Sequence, residues 1–238
     1  MIESSVVLAV AGAIVAGYLM GSLSFAVIVS RMLGLNDPRT YGSKNPGATN
    51  VLRSGSKLAA VITLLLDALK GWLPVALVVW FGKPYGLGEG TMALVGLAAF
   101  LGHLFPVFFR FVGGKGVATA LGVLVGFHWG LGLSVLASWV LIALFFRFSS
   151  LASLVAAVFA PVAYLFGSGV GWYFDKSIFA ALVVMGVLLI WRHAPNITKL
   201  IQGTESKLGG KADASLPRSK SPEGVASNKG KTLKKHAR

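Results

Sequence analysis

The sequence predicts an all-α, polytopic integral membrane protein with seven transmembrane helices, its N-terminus outside and its C-terminus in the cytoplasm. Three observations predict it. The 238 residues are 55% hydrophobic and 13% charged, with a mean hydropathy of +0.75, whereas soluble domains carry about 25% charged residues. The apolar residues gather into continuous runs instead of alternating, which argues against a β-barrel. The basic residues sit between the runs, with a bias to one side. The same balance excludes a disordered chain. The absence of cysteine excludes a disulfide scaffold, a Cys-zinc site and a thiol nucleophile. A formal net charge of +14 points to cytoplasmic loops, anionic lipids or anionic substrates. No nucleic-acid partner is expected, because the basic residues punctuate apolar segments.

A spanning helix needs about 20 apolar residues. The seven runs are residues 6–33, 58–81, 91–109, 117–127, 130–146, 151–166 and 178–191. The first is preceded by Glu3 and by no Lys or Arg, and it is longer than the apolar core of a signal peptide, so it reads as a span. The fourth is short and spans only with help from its polar ends or from residues near Gly114. His128 and Trp129 alone divide it from the fifth. With seven crossings, nine Lys and Arg fall on one side, from Arg31 to Arg192, and Lys83 and Lys176 on the other. The positive-inside rule sets the orientation from that bias. Residues 1–208 therefore form the membrane domain, and 209–238, rich in Lys, Ser, Gly and Ala, read as a disordered basic cytoplasmic tail.

The side that collects the positive charge also collects Gly, Ser, Asn and Thr. The loop over residues 36–57 carries Ser43, Lys44, Asn45, Gly47, Thr49, Asn50 and Arg53. Its glycines and asparagines tolerate the turns that form anion-binding nests, Thr49 or Asn50 can start a helix, and Lys44 and Arg53 add charge. Read more simply, it is a polar turn before the second run. Gly113, Gly114, Lys115 and Gly116 precede the fourth run, so a pliable backbone, a helix N-terminus and an ammonium coincide. This is not a Walker A loop; its simpler reading is a flexible turn with an interfacial lysine. Arg192, His193, Asn196 and Glu205 follow the last run. His193 suits a base or a donor and Asn196 a donor to an oxyanion, or the segment is a basic span end with a Pro-started helix. Asp67 and Lys70 lie three apart inside a span and face one side. His103 reads as a core histidine, and Ser150 as a donor in a fourth short turn.

Metal chemistry and a paired-carboxylate hydrolase find little support among eight acidic residues without His-Glu-x-x-His. The acyltransferase pattern of His, four residues, then Asp is absent after each of His103, His128 and His193. What remains is a set of anion-binding loops at one interface, suited to phosphorylated and lipid-like substrates.

The strings GSKNPGATNVLR at 42–53, GHLFPVFFRFVGGKGVAT at 102–119 and HAPNITKL, followed by GTE, at 193–205 resemble the bacterial acyl-phosphate:glycerol-3-phosphate acyltransferases, the PlsY family. The resemblance runs from about Gly21 to Lys207. It implies a seven-span enzyme of the bacterial inner membrane, its site facing the cytoplasm. That enzyme moves a fatty acyl group from acyl phosphate to the sn-1 hydroxyl of glycerol 3-phosphate, giving lysophosphatidic acid and phosphate. It implies no cofactor and no metal, with a soluble enzyme supplying the acyl phosphate. By position it assigns Ser43, Asn45, Gly47, Thr49, Asn50 and Arg53 to the acyl phosphate. Gly113, Gly114, Lys115 and Gly116 fall to the phosphate of glycerol 3-phosphate, with Ser150 nearby, and His193, Asn196 and Glu205 to activity and loop structure. Ser43, Arg53, Lys115, His193 and Asn196 are the expected catalytic set. Lys44 stands where the family often has Gly, and Ala194 and Lys199 where it often has Arg. The base is either His193 or a phosphate oxygen of the donor. The competing class is an organophosphate or phospholipid transporter or flippase. Transporter sites, however, lie near the bilayer midplane at broken helices, often between repeats, and no repeat is visible here.

Overall fold

The structure, a computed structural model, describes residues 2–209. The tail expected at 209–238 lies, but for Gly209, outside the described residues. The described chain is helical, without an extended strand: α1 (Ile2–Gly21), α2 (Phe25–Met32), α3 (Ala48–Leu52), α4 (Lys57–Phe81), α5 (Glu89–Leu104), α6 (Val117–Phe127), α7 (Trp129–Phe146), α8 (Ser149–Phe166), α9 (Lys176–Arg192) and α10 (Ala194–Ile201).

Each of the seven apolar runs contains a helix, with two changes at the ends. The run 6–33 is broken after Gly21. Ser22 turns its amide and its hydroxyl back to the Tyr18 carbonyl, at 2.9 and 2.8 Å, and the chain restarts as α2. The run 91–109 ends its α-helix at Leu104, because the residue before Pro106 disfavours helical angles. Tyr18 Oη then donates to the Phe105 carbonyl at 2.7 Å. Side chains set the other starts. Ser56 Oγ accepts from the Ala59 amide at 3.2 Å, and Asp175 Oδ1 accepts from the Ser177 and Ile178 amides at 2.7 and 3.1 Å. In the first polar loop the helix begins at Ala48, capped by Gly47, a little before the expected Thr49 or Asn50.

Among the described residues five helices are long and apolar enough to cross a bilayer: α1, α4, α5 extended to Phe109, α7 and α8. A sixth span results if α9 and α10, which meet at 57°, count as one. Helix α6 has 11 residues. At 1.5 Å per residue it covers about half of a 30 Å hydrocarbon core.

Glycines set how closely the helices pack. Gly17 lies against Val95, Gly21 against Ala99 and Gly102 against Tyr18 and Ser22, so α1 and α5 run parallel in close contact. Gly71 meets Thr119, Gly122 meets Ala68 and Trp72, and Gly126 meets Val75, which seats α6 on α4. In a membrane such small-residue contacts drive packing, since lipid is as apolar as the helix surface. The core fills where α4, α5, α6, α7, α8 and α9 meet, around Val75, Phe100, Leu104, Val123, Leu131, Tyr164 and Leu182.

One charged pair is sealed inside, as the spacing of Asp67 and Lys70 implied. Lys70 Nζ lies 2.7 Å from Asp67 Oδ1 and donates to the Leu23 carbonyl at 2.6 Å. That carbonyl lies in the break between α1 and α2 and also accepts from the Phe25 amide at 3.1 Å. Breaking such a pair leaves an uncompensated buried charge and costs about 3–5 kcal/mol.

A β-carbon on Gly122 would strike the Ala68 backbone, whereas one on Gly12 meets nothing within 4 Å. Gly122→Ala is expected to destabilise the detergent-solubilised protein by about 1–3 kcal/mol. Gly12→Ala is expected to be neutral or stabilising by up to about 1 kcal/mol. Thermal denaturation of the two variants checks both.

Candidate active site

The three polar segments, around residues 36–57, 113–116 and 192–205, meet at one end of the bundle. The glycine loop is the centre. Gly116 caps α6 with φ +83°, in the left-handed region that glycine adopts without penalty, and a side chain there would strike Phe100 and Leu104. The Gly114 amide donates to the His103 carbonyl at 3.2 Å, and Gly113 packs on the His103 and Leu104 carbonyls. From the end of α9, Arg192 Nη2 donates to the Gly113 and Gly114 carbonyls at 2.8 and 3.0 Å, and its Nε to Gly114 at 3.2 Å. The loop is therefore held by its carbonyls from behind.

Lys115 projects from this loop, half-buried. Its Nζ donates a short hydrogen bond to Asn196 Oδ1. Asn196 Nδ2 donates to Glu205 Oε1 at 2.8 Å, and Ser150 Oγ donates to the same oxygen at 2.7 Å. Segments from the second and third motifs and from the first turn of α8, where Ser150 lies rather than in the expected turn, are thus joined in one chain of bonds. Among the described residues no carboxylate lies within 4 Å of the Lys115 ammonium. Burial pushes its pKa down to about 8; the Glu205 charge opposes this, and Arg53, Lys199 and Arg192 add to it. That electrostatic reach brings Arg53 of the first motif into the same cluster.

The first loop touches the second. The Pro46 carbonyl lies over Gly114, within 2.9 Å of where a β-carbon would stand. Asn50, only 1% exposed, directs its side-chain hydrogen bonds into its own loop. Its Nδ2 donates to the Pro38 and Tyr41 carbonyls at 2.6 and 3.2 Å, and its Oδ1 accepts from the Ser43 amide at 3.0 Å. Asn50 therefore braces the loop, while Ser43 and Thr49 are exposed and Asn45 and Gly47 half-buried. Gly42 (φ +56°) leaves room for Asn50 Oδ1 and the Arg53 side chain. Lys44, where the family often has Gly, takes the left-handed φ of +55° with a side chain.

His193 is nearly sealed, at 2% exposure. A carbonyl only accepts, so Nδ1 donates to the Leu189 carbonyl at 2.8 Å. Burial first, and the Lys115 charge second, push its pKa down to about 4. The imidazole is neutral at physiological pH and fixed against the end of α9. The His193 carbonyl accepts from the Asn196 amide at 2.8 Å, and the ring meets Lys115 and Glu205 through charge.

Sequence reasoning missed Arg192, which it took for a basic span end, and the reach of Lys199 to Lys115. A guanidinium directly before the His193 motif was the available signal for Arg192. Nothing in the sequence marks the glycine carbonyls that it holds. Among the described residues no three His, Asp or Glu side chains come together as a metal site.

The helical bundle defines a polytopic membrane protein with a cationic, glycine-lined cluster at one end. A family described as glycerol-3-phosphate acyltransferase matches residues 11–203. A glycerol-3-phosphate acyltransferase of Albidiferax ferrireducens is 71% identical over 196 residues, covering 82% of this chain and 88% of that protein. One of Bordetella petrii is 57% identical over 212 residues, covering 89% and 99%. Among solved structures, PlsY (YgiH), an integral membrane glycerol 3-phosphate acyltransferase, matches in its glycerol 3-phosphate form. The TM-score is 0.77 at 38% identity, over 84% of this chain and 96% of that one. Its lysophosphatidic acid form matches with a TM-score of 0.75 at 37% identity. The chain belongs to the glycerol-3-phosphate acyltransferase family and is an acyltransferase.

Two backbone substitutions test the loop geometry. Lys44→Gly relieves a left-handed side-chain residue and is expected to stabilise, or at worst leave unchanged, by about 1 kcal/mol. Gly116→Ala is expected to destabilise by about 1–3 kcal/mol through φ and overpacking together. Thermal denaturation reads both signs.

Proposed function

We propose that this chain transfers a fatty acyl group from acyl phosphate to the sn-1 hydroxyl of glycerol 3-phosphate, giving lysophosphatidic acid and phosphate. The observation that carries the reading is the Lys115 ammonium. It is partly desolvated, bonded to Asn196, without a carboxylate partner and set on a glycine loop among Arg53, Arg192 and Lys199. A dianionic phosphate matches the charge of such a cluster. The residues 1–208 form the catalytic membrane domain, with seven crossings, of which α6 is the shortest. The parallel pairs α1 with α5 and α4 with α6 support alternating crossings. The positive-inside bias puts the site in the cytoplasm of a bacterial inner membrane, the N-terminus outside, and 209–238 a basic cytoplasmic tail. A soluble enzyme supplies the acyl phosphate.

In this reading the glycerol hydroxyl attacks the acyl carbonyl of a mixed anhydride, whose phosphate is already a good leaving group. The enzyme has mainly to bring two anions together. At an effective dielectric of 20, like unit charges 4 Å apart repel by about 4 kcal/mol, and Lys115, Arg53 and Lys199 offset that repulsion. Lys115 and the loop amides hold the glycerol 3-phosphate phosphate, and Ser43, Asn45, Gly47, Thr49 and Arg53 the acyl phosphate. Ser150 and Glu205 keep Asn196 turned toward Lys115. His193, neutral and buried, orients the end of α9. The hydroxyl proton passes to a phosphate oxygen of the leaving group, so no protein carboxylate is needed.

Purified wild type given palmitoyl phosphate should release phosphate only when glycerol 3-phosphate is present, and should form lysophosphatidic acid. Lys115→Ala should lower kcat/KM about 100- to 1,000-fold. Glycerol 3-phosphate binding without product would replace the reading with transport, read as flux into liposomes. The pH dependence has a definite sign. The ammonium is charged below its pKa of about 8 and is lost as pH rises through that value. The KM for glycerol 3-phosphate should therefore rise above pH 8, with a limiting slope of about tenfold per unit. Lys115→Arg, which stays charged, should remove that rise.

A further inference from the structure

We propose that His103 is a positioning residue that locks the acyl-phosphate loop and the glycine loop in register for acyl transfer; this rests on the proposed function. His103 sits on α5, 7% exposed, below both loops. Its backbone carbonyl accepts from the Gly114 amide at 3.2 Å. Its Nε2 edge occupies the space where a Gly114 side chain would stand, and the Pro46 carbonyl of the other loop closes on the same point. One imidazole edge therefore lies at the joint of two loops that, in the proposed reaction, carry different substrates.

The other edge is anchored. Nδ1 lies 3.0 Å from Thr119 Oγ1, one turn into α6, and 3.7 Å from Asp67 Oδ1 on α4. Thr119 is fully buried, and Asp67 is tied to Lys70, which reaches the Leu23 carbonyl. The ring is thus held from α4 and α6 and presents Nε2 upward to Gly114 and Pro46. Two substrates must meet to within the length of a forming bond, and a misplacement of 1 Å can cost about 100-fold in rate. A residue that sets the spacing between their loops acts on kcat, while each loop still binds its own substrate.

His103→Phe keeps the ring and removes both nitrogens. It is expected to lower kcat by about fivefold or more, with KM for palmitoyl phosphate and for glycerol 3-phosphate each within about threefold of wild type. His103→Gln, whose amide reaches the Nε2 position, should recover most of kcat. A purely structural role would instead lower the melting temperature without this split and without rescue by Gln. A kcat loss below about fivefold in His103→Phe, failure of Gln to restore it, or a larger KM change for either substrate overturns the proposal. If His103→Phe does not fold, Thr119→Val decides, since it removes only the anchor of Nδ1. A kcat loss at unchanged KM then supports the proposal, and wild-type kcat overturns it. Wild type assayed alongside separates the two failures: an inactive wild type refutes the proposed function, whereas an active wild type matched by its variants refutes the role of His103.

Discussion

The Lys115 ammonium has surrendered much of its water without gaining a carboxylate, and the architecture around it is arranged to tolerate that. A charge in such a place either loses its proton or waits for an anion. Its pKa of about 8 puts it between these outcomes. Asn196 supplies one neutral acceptor, and Glu205 is kept one residue further away by its bonds to Asn196 and Ser150. Were Glu205 paired directly with Lys115, the cation would be satisfied and the cluster would offer little to a phosphate.

The rest of the bundle holds the backbone that carries this charge. Arg192 grips the glycine loop by its carbonyls, while the Gly114 amide is tied to the His103 carbonyl. Gly71, Gly122 and Gly126 seat α6 on α4 at a depth that brings its N-terminus to the loop. Asn50 spends three hydrogen bonds on the first loop and thereby sets where Ser43 stands. The anchoring is costly to disturb because it is buried. An unpaired polar group in this interior loses its hydrogen bond and cannot recover it from lipid.

Much of this was legible in the chain. The seven runs each became a helix, because sustained apolarity has one solution in a bilayer. The break at Gly21 was not legible, since residues 22–33 are as apolar as a span and the turn depends on Ala99 approaching Gly21. Lys115, Asn196 and Glu205 were singled out by residue type and motif, and the structure joins them. The division of labour was hidden. Asn50 and His193 looked like donors to a substrate, yet their bonds run to their own backbone surroundings, a matter of three-dimensional partners that no spacing encodes. His103 read correctly as a buried histidine, but only the fold reveals that two loops converge on its far edge.

In the proposed reaction the Lys115 ammonium is partly uncharged in the free protein at alkaline pH and becomes fully charged when a phosphate binds. Calorimetric titration of glycerol 3-phosphate at pH 8.5, in two buffers of different ionisation enthalpy, measures that proton directly. The account predicts that binding takes up a substantial fraction of one proton in wild type and none in the Lys115→Arg variant. Binding to wild type with no proton uptake would contradict it.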